Sequence, residues 1–197
     1  EGMIREAEKP LDLRVRRTRH LLQQAFMELM TEKDFQAITV QDIADRAMVN
    51  RATFYDHFVD KYALLTVSIT EMFKKTLHST VPEAFDYTSE NLRRLILTVC
   101  EFMAQVHGHC SPKDQQLLLL IESQITSLVA EILLTWLRSK RPLALQNVPT
   151  ELIAATASWA IYGAALYWSQ QKEHESADEF AHHALPIATA ILGQPGG

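Results

Sequence analysis

The chain of 197 residues is long enough for one sizeable core, or for a small domain followed by a larger one, and its hydrophobic fraction of 47% is that of a globular protein. No stretch of 18 residues is both apolar and uncharged, and no secretory signal precedes the first helical pattern, so neither a membrane span nor export is expected. The net charge of −5 argues against a chain devoted wholly to nucleic acid, but the excess acid lies in residues 76–197, since residues 1–75 hold 12 basic and 12 acidic residues.

The first predicted helix covers residues 13–32, where apolar residues recur on one face: Leu22, Ala25, Phe26, Leu29 and Met30. Residues 1–12 have no clear apolar face and are expected to fray. A basic cluster opens the helix, at Arg14, Arg16, Arg17 and Arg19. This cluster is either a solvated arm or a set of contacts to phosphates.

Two short helices are predicted next, over residues 40–47 and 51–58. Val40, Ile43, Ala44 and Ala47 share one face of the first, and Thr39 stands where its hydroxyl can cap it. Asp42, three residues after Thr39, predicts a partial capping box, because Glu or Gln is usual there. In the second helix, Asn50 is the expected cap, and Phe54 and Phe58 point inward one turn apart. Two short helices joined by a tight turn are the layout of a helix-turn-helix DNA reader.

This segment resembles the DNA-binding domain of the TetR family of transcriptional regulators, in Thr39, Ile43, Ala44, Ala47, Val49, Thr53, Phe54, Tyr55, His57, Phe58 and Lys61. The resemblance covers about residues 14–65. Two positions depart from the family pattern. Met48 stands in the turn where glycine is usual, so the turn is either built with a negative φ or slightly strained. Asp56 places a carboxylate on the exposed face of the second helix, where it would repel phosphates or accept a hydrogen bond from cytosine.

The sequence pattern of the rest of the chain predicts α-helices only. A long helix begins after Asp60 and ends before Pro82, and another begins at Ser89 or Asn91 and ends near Gly108. The pattern from 112 to 140 is helical with a break near its middle. Thr150 and Ser176 are expected to cap the last two helices, which reach about Gln171 and Leu192, with a kink or division at Pro186. The predicted fold is therefore all-α, with a three-helix helix-turn-helix DNA-binding domain over 1–60 and a helical effector-binding and dimerisation domain over 61–197.

The resemblance implies a cytoplasmic, dimeric repressor that binds a palindromic DNA operator and is released by an unknown small-molecule effector. Arg51 is the expected reader of guanine, Ala52 the contact for a thymine methyl group, and Gln41 a second base contact. Phosphate contacts are expected from Thr39, Thr53, Tyr55, His57 and Lys61.

The last two helices are the expected dimer interface, through Ala157, Ala160, Ile161, Ala164, Trp168, Phe180, Ala184, Ile187 and Ile191. The alternative is that these residues of the last two helices pack inside the core of a single chain. An effector would contact Phe73, Leu77, Phe102, Met103, His107, Leu120, Trp136 and Tyr162, although each of these is also a plausible core residue.

No catalytic arrangement is indicated, because the chain has no glycine-rich phosphate loop, nucleophile elbow or supported Ser/His/Asp spacing. No metal or cofactor is predicted, since His107, His109 and Cys110 lack the paired spacing of a structural zinc site. Cys100 and Cys110 fit a reducing cytoplasm better than a disulfide framework. The alternative function is an all-helical metabolite-binding or enzymatic domain whose first helices only resemble a DNA reader.

Overall fold

The computed structural model describes residues 10–80, 86–109, 115–139, 145–171 and 175–194. These residues form α-helices and one short 3-10 helix, with no strand among them, so the predicted all-α class is confirmed. In chain order the elements are α1 Pro10–Glu32, the 3-10 helix Phe35–Ala37, α2 Val40–Arg46, α3 Arg51–His57, α4 Lys61–Thr80, α5 Ser89–His109, α6 Gln115–Ser139, α7 Thr150–Ser169 and α8 Ala177–Leu192.

The chain divides into two compact units, residues 1–68 and 69–197, with the division inside α4. The domain boundary predicted after residue 60 stays a prediction. The first unit packs α1 against α2 and α3. Its core is formed by the helix faces that the apolar spacing predicts to be buried. The buried residues on these faces include Leu22, Phe26, Leu29, Ile43, Ala44, Phe54 and Phe58.

The 3-10 helix between α1 and α2 was not predicted, since three residues carry no helical period. Its Phe35 is buried and packs edge-to-face on two other rings, with centroids 6.1 Å from Phe26 and 5.2 Å from Tyr62. This ring anchors the connection between α1 and α2 against α1 and the first turn of α4.

In the second unit, α7 contacts α5, α6 and α8, and α5 also contacts α8. The buried side of α5 carries Leu92, Leu95, Ile96 and Val99, none with exposed surface. At its start Arg93 forms ion pairs with Glu90 and with Asp178 of α8. These contacts tie the beginning of α5 to the beginning of the last helix.

Two predicted helix details are wrong, and a third is decided in part. The pattern of α6 is not broken, since the helix is continuous from Gln115 to Ser139. Thr150 is the first residue of α7 and not its cap, because Pro149 occupies the capping position without a side-chain hydrogen bond. Of the two alternatives at Pro186, division does not occur, because α8 continues through it, and the kink stays a prediction. Ser176 does cap α8, in a full capping box with Glu179.

Helix α6 has one further property. Its segment Leu117–Ser139 is long and apolar enough, by length and composition alone, to cross a membrane. This is weak evidence for a membrane span, because the core helices of soluble proteins meet the same test. One side of this helix is buried, and its exposed stripe carries Ser123, Ser127, Glu131 and Thr135. A polar stripe opposite a buried one is typical of a core helix that faces water on one side.

Candidate nucleic-acid interface

The start of α2 is held by Thr39 and Asp42. The Thr39 backbone N–H and hydroxyl both donate to Asp42 Oδ2 at 2.7 Å, and the Asp42 N–H donates to the Thr39 hydroxyl at 3.1 Å. The capping box predicted to be partial is therefore complete, since the shorter carboxylate of Asp42 also closes it. The Thr39 hydroxyl, then its N–H, then Lys33 at 3.0 Å lower the pKa of Asp42 to about 2. The carboxylate stays ionised and holds the helix start.

The turn between α2 and α3 is a Schellman motif. The Met48 N–H donates to the Asp45 carbonyl at 3.1 Å, and the Val49 N–H donates to the Ala44 carbonyl at 2.9 Å. Met48 takes the left-handed position of this motif with φ 53°, and its side chain is 90% exposed. Of the two expectations for this turn, the strained one is correct, since a Cβ at positive φ is unfavourable.

The third helix places an apolar side inward and a polar side outward. The Asn50 side chain accepts hydrogen bonds from the Thr53 N–H at 2.7 Å and its hydroxyl at 3.0 Å, so Asn50 is the predicted cap. Phe54 and Phe58 are buried, with ring centroids 5.9 Å apart. The outward side carries Arg51, Ala52, Tyr55 and Asp56, all exposed.

Two of the three predicted base contacts, Arg51 and Gln41, each have a side-chain partner within the chain. Arg51 donates to the Tyr55 hydroxyl at 3.1 Å, with its guanidinium 5.5 Å from the centre of that ring. The Gln41 amide donates to the Asp45 carboxylate at 2.7 Å. Each pair spans one helical turn on an exposed face, so it can open at small cost when a better partner is offered.

Two cations of the first unit are directed to its own backbone and rings. Arg19 donates to the His57 carbonyl at 3.5 Å and lies 4.7 Å from the centre of the Phe58 ring. A cation at the last turn of α3 suits the negative end of that helix. Sequence reasoning missed this role because it grouped Arg19 with the arm, whereas Arg14 and Arg17 are exposed.

The second inward cation is Lys61. Its ammonium donates to the carbonyls of Phe35 at 2.9 Å, Gln36 at 3.2 Å and Ile38 at 2.8 Å, and it lies 4.5 Å from the centre of the Phe35 ring. The resemblance assigns the same ammonium to a phosphate. The structure thus gives Lys61 partners inside the domain that the sequence did not indicate.

Helices α1 and α2 are also joined by ion pairs. Arg46 contacts the two carboxylate oxygens of Glu32 at 2.9 and 2.7 Å, and Glu28 at 3.4 Å. The hydrogen bond from Arg46 lowers the pKa of Glu32. Pairs this exposed contribute little individually, but the two-point geometry specifies one angle between the helices.

The residues predicted to contact an effector lie largely in the core of the second unit. Phe73 and Phe102 are buried and meet edge-to-face at 5.7 Å, whereas Trp136 stacks on Tyr87, also at 5.7 Å. Met103 and Tyr162 are buried, and Leu77 and Leu120 are half-buried. The side chain of His107 lies outside the described residues. The effector role of these positions stays a prediction.

Four residues of the predicted dimer interface are buried inside the chain, namely Ala157, Ile161, Trp168 and Ala184. Their side of α7 and α8 packs within the second unit, as in the alternative that these positions are internal core, and the interface itself stays a prediction. Ala160, Ala164, Phe180 and Ile191 are half-buried, and Ile187 is exposed. The exposed apolar side of α7 carries Leu152, Ala155, Trp159, Gly163 and Tyr167.

Among the described residues, no group of three His, Cys, Asp or Glu side chains is placed to hold a metal ion. Cys110 and the side chains of His107 and His109 lie outside the described residues. Cys100 is buried in α5, and burial raises its pKa to about 12, so it is an unreactive core thiol.

Comparison with known proteins adds to this geometry. Residues 22–66 match the family model of bacterial regulatory proteins of the tetR family. YxbF, an HTH-type transcriptional regulator of Bacillus subtilis (strain 168), is 38% identical over 109 residues, which are 52% of this chain and 29% of that protein. The chain thus spans less than a third of this relative's length.

Solved structures share the fold over nearly the whole chain. A TetR transcriptional regulator from Streptococcus agalactiae 2603V has a TM-score of 0.59 at 20% identity, covering 90% of this chain and 97% of that one. A TetR-family regulator from Streptomyces coelicolor A3 reaches 0.61 at 14% identity, covering 94% and 98%. FadR from Bacillus subtilis, in complex with stearoyl-CoA, reaches 0.56 at 16% identity, covering 90% and 99%.

Proposed function

We propose that this chain is a dimeric transcriptional repressor of the tetR family of bacterial regulatory proteins, because residues 22–66 match the model of that family and nearly the whole chain shares the fold of solved tetR regulators. It is a DNA-binding regulator and not an enzyme, and it acts in the cytoplasm. The observation that carries the proposal is α3, a capped helix with two buried phenylalanines on one side and exposed Arg51, Ala52 and Tyr55 on the other.

Reading of the operator begins with α3 in the major groove. Arg51 leaves Tyr55 and binds guanine through two hydrogen bonds, because the fork of the guanidinium matches guanine O6 and N7. Ala52 contacts a thymine methyl group, and Gln41 reads a further base after leaving Asp45. Asp56 is exposed beside these residues, so it disfavours a phosphate and favours a cytosine amino group.

Contacts to phosphates set the register of the two helices on the duplex. Thr39, Thr53, Tyr55 and His57 are the proposed contacts. Thr39 and Thr53 lie at the starts of α2 and α3, where backbone N–H groups and the positive end of each helix favour an anion.

The dimer is proposed to form through the exposed side of α7 together with Ile187 of α8. Leu152, Trp159 and Tyr167 are each more than half exposed, which is a large apolar area for a helix facing water. Nothing lies within 4 Å of a Cβ built on Gly163, so packing within the chain does not require glycine at this helical position. A glycine inside a helix costs about 1 kcal/mol relative to alanine, and close approach of a partner helix would offset it. A two-fold dimer presents two copies of α3 to a palindromic operator.

A small-molecule effector is proposed to bind in the second unit and to release the operator. Support comes from the fold shared with FadR, which was solved with stearoyl-CoA, and from the apolar lining that Phe73, Phe102 and Met103 would provide. The effector would act through α4, which runs from the first unit into the second.

Selection from a random DNA library, followed by gel retardation, tests the DNA-binding part of the proposal. We expect the selection to enrich a palindrome. The chain should retard this palindrome in a gel at low salt, and unrelated DNA should compete poorly for the chain. A reporter gene behind that palindrome should then be silenced by the chain. A folded dimer that enriches no sequence and retards no DNA would instead favour the metabolite-binding or enzymatic alternative.

Light scattering on the purified chain tests the interface. Trp159→Arg should yield a monomer, because it buries a charge in the proposed contact. Leu119→Arg is the matched control, since Leu119 is a similarly exposed apolar residue on α6. Dimers of equal strength in both variants would contradict the assignment to α7.

A further inference from the structure

Lys61 connects two parts of the first unit that are distant in sequence. It begins α4, yet its ammonium donates to three carbonyls of the connection between α1 and α2, at 2.8 to 3.2 Å. An ammonium has three protons and no acceptor, so this set of partners matches its full hydrogen-bonding capacity. The Phe35 ring, 4.5 Å from the ammonium, adds a cation–π contact.

These carbonyls need a partner of this kind. The last carbonyls of a helix find no backbone donor within it, and those of the 3-10 helix face the same shortage. Phe35 O accepts the Ile38 N–H at 3.2 Å, while Lys61 donates to the Gln36 and Ile38 carbonyls. The cation therefore stabilises a turn that regular helix bonds leave incompletely satisfied.

The turn in question determines where α2 begins. Ile38 is followed at once by Thr39, whose capping box with Asp42 starts α2. Buried Ile43, Ala44 and Ala47 then fix α2 against its neighbours, and α2 contacts α3. A displacement of the carbonyls at 35–38 would therefore move the first residues of α2, including Gln41.

We propose that Lys61 is a positioning residue, which clamps the 35–38 turn and so places α2 for DNA reading, and that it is not a phosphate contact. This inference rests on the proposed function. It differs from the family resemblance in where the charge is directed: the ammonium donates to three carbonyls of the protein, whereas the resemblance directs it to a phosphate of DNA.

Two substitutions in the full chain separate the roles. Lys61→Met keeps the length of the side chain and removes the charge, whereas Lys61→Arg keeps the charge but replaces a compact ammonium by a planar fork that cannot serve three converging carbonyls. Lys75→Met is the control, because Lys75 is exposed on the same helix and the variant loses the same charge. Each variant is measured for thermal unfolding and, well below that transition, for affinity to the selected palindrome and to unrelated DNA over a range of salt.

Both Lys61 variants should unfold at lower temperature than the wild type and bind the palindrome about tenfold more weakly, the loss expected for one weakened interaction to a charged group. Affinity for unrelated DNA and the slope of log affinity against log salt should match the wild type and Lys75→Met. This split between specific and non-specific affinity is what positioning predicts and what simple destabilisation does not.

A phosphate role gives the opposite result. Lys61→Met would then weaken binding to both DNAs and reduce the salt slope by about 0.9, with Lys61→Arg restoring both. That outcome overturns the proposal, as does an unchanged unfolding temperature in both variants. If Lys61→Met fails to fold, Lys61→Arg decides alone, because a phosphate contact predicts wild-type affinity for it. A wild-type chain that binds no DNA refutes the proposed function, while the unfolding data still report on the clamp.

Discussion

Replacing Met48 by glycine should stabilise this protein. Met48 is the residue of the α2–α3 turn with a left-handed backbone, φ 53°, inside a Schellman motif closed by hydrogen bonds to the Asp45 and Ala44 carbonyls. Glycine is the usual residue at this position because it has no Cβ to meet the neighbouring carbonyl. The side chain is 90% exposed, so its removal sacrifices almost no buried apolar surface.

The magnitude follows from two opposing effects. A side chain in the left-handed region costs about 1–2 kcal/mol, which glycine would recover. Glycine also gives the unfolded chain more freedom, which offsets about 0.4–1 kcal/mol of that gain. A net gain of about 0.5–1 kcal/mol would raise the melting temperature by about 1–4 °C for a chain of this size.

Thermal unfolding followed by circular dichroism, with urea unfolding as a second measure, would detect this shift. Met48→Ala is the matched control, because it removes the side chain and retains the Cβ at positive φ, so it should stay within about 0.5 kcal/mol of the wild type. If glycine and alanine had the same effect, or if glycine lowered the stability, the strain argument would be refuted.

Three further outcomes are expected. Arg51→Ala should cost about 1–3 kcal/mol of operator affinity and relax the preference at one base pair, and unchanged affinity would remove Arg51 from the base readers. Arg19→Ala should lower the free energy of unfolding by about 1–2 kcal/mol, because the contacts of the guanidinium with the Phe58 ring and the His57 carbonyl are lost. Arg17→Ala is the control, since Arg17 is exposed on the same helix. Equal effects of the two substitutions would contradict the inward role of Arg19. Because folding lowers the pKa of Asp42 to about 2, its contribution is complete above the ordinary value of 3.8 and is lost as the pH falls from about 4 to 2. Asp42→Asn should therefore weaken the dependence of the free energy of unfolding on pH between about 4 and 2. An unchanged pH dependence in this variant would show that the capping carboxylate does not contribute to stability.

Much of the first unit could be predicted because its signals are local. Asn50 caps α3 through Thr53, three residues away, and the buried faces follow the helical period. The capping box of Asp42 was only partly predicted, since residue preference does not say how far a shorter carboxylate reaches. The conformation of Met48 does not follow from the sequence for a similar reason. The conformational preference of methionine disfavours a positive φ, whereas the two hydrogen bonds of the turn impose a positive φ.

The second unit was predicted less well because its apolar residues outnumber the positions that one face can hold. On α7 nearly every residue from Ile153 to Tyr167 is apolar or small, so the helical period does not separate the core side from the exposed side. Packing against α5, α6 and α8 decides it. The sequence therefore does not show that Ala157 and Ile161 are buried within the unit, whereas Trp159 and Tyr167 are exposed.

The sequence by itself determined the all-helical class, the helix-turn-helix and the residues that α3 exposes, since caps, periods and turns act over three or four residues. Only the tertiary structure decided the partners of the cations, because those lie far apart along the chain. Lys61 meets carbonyls 23 to 26 residues away, and Arg19 meets one 38 residues away. A basic residue near a DNA reader looks the same in sequence whether its charge faces a phosphate or the backbone, and the packing angle of the helices makes the difference.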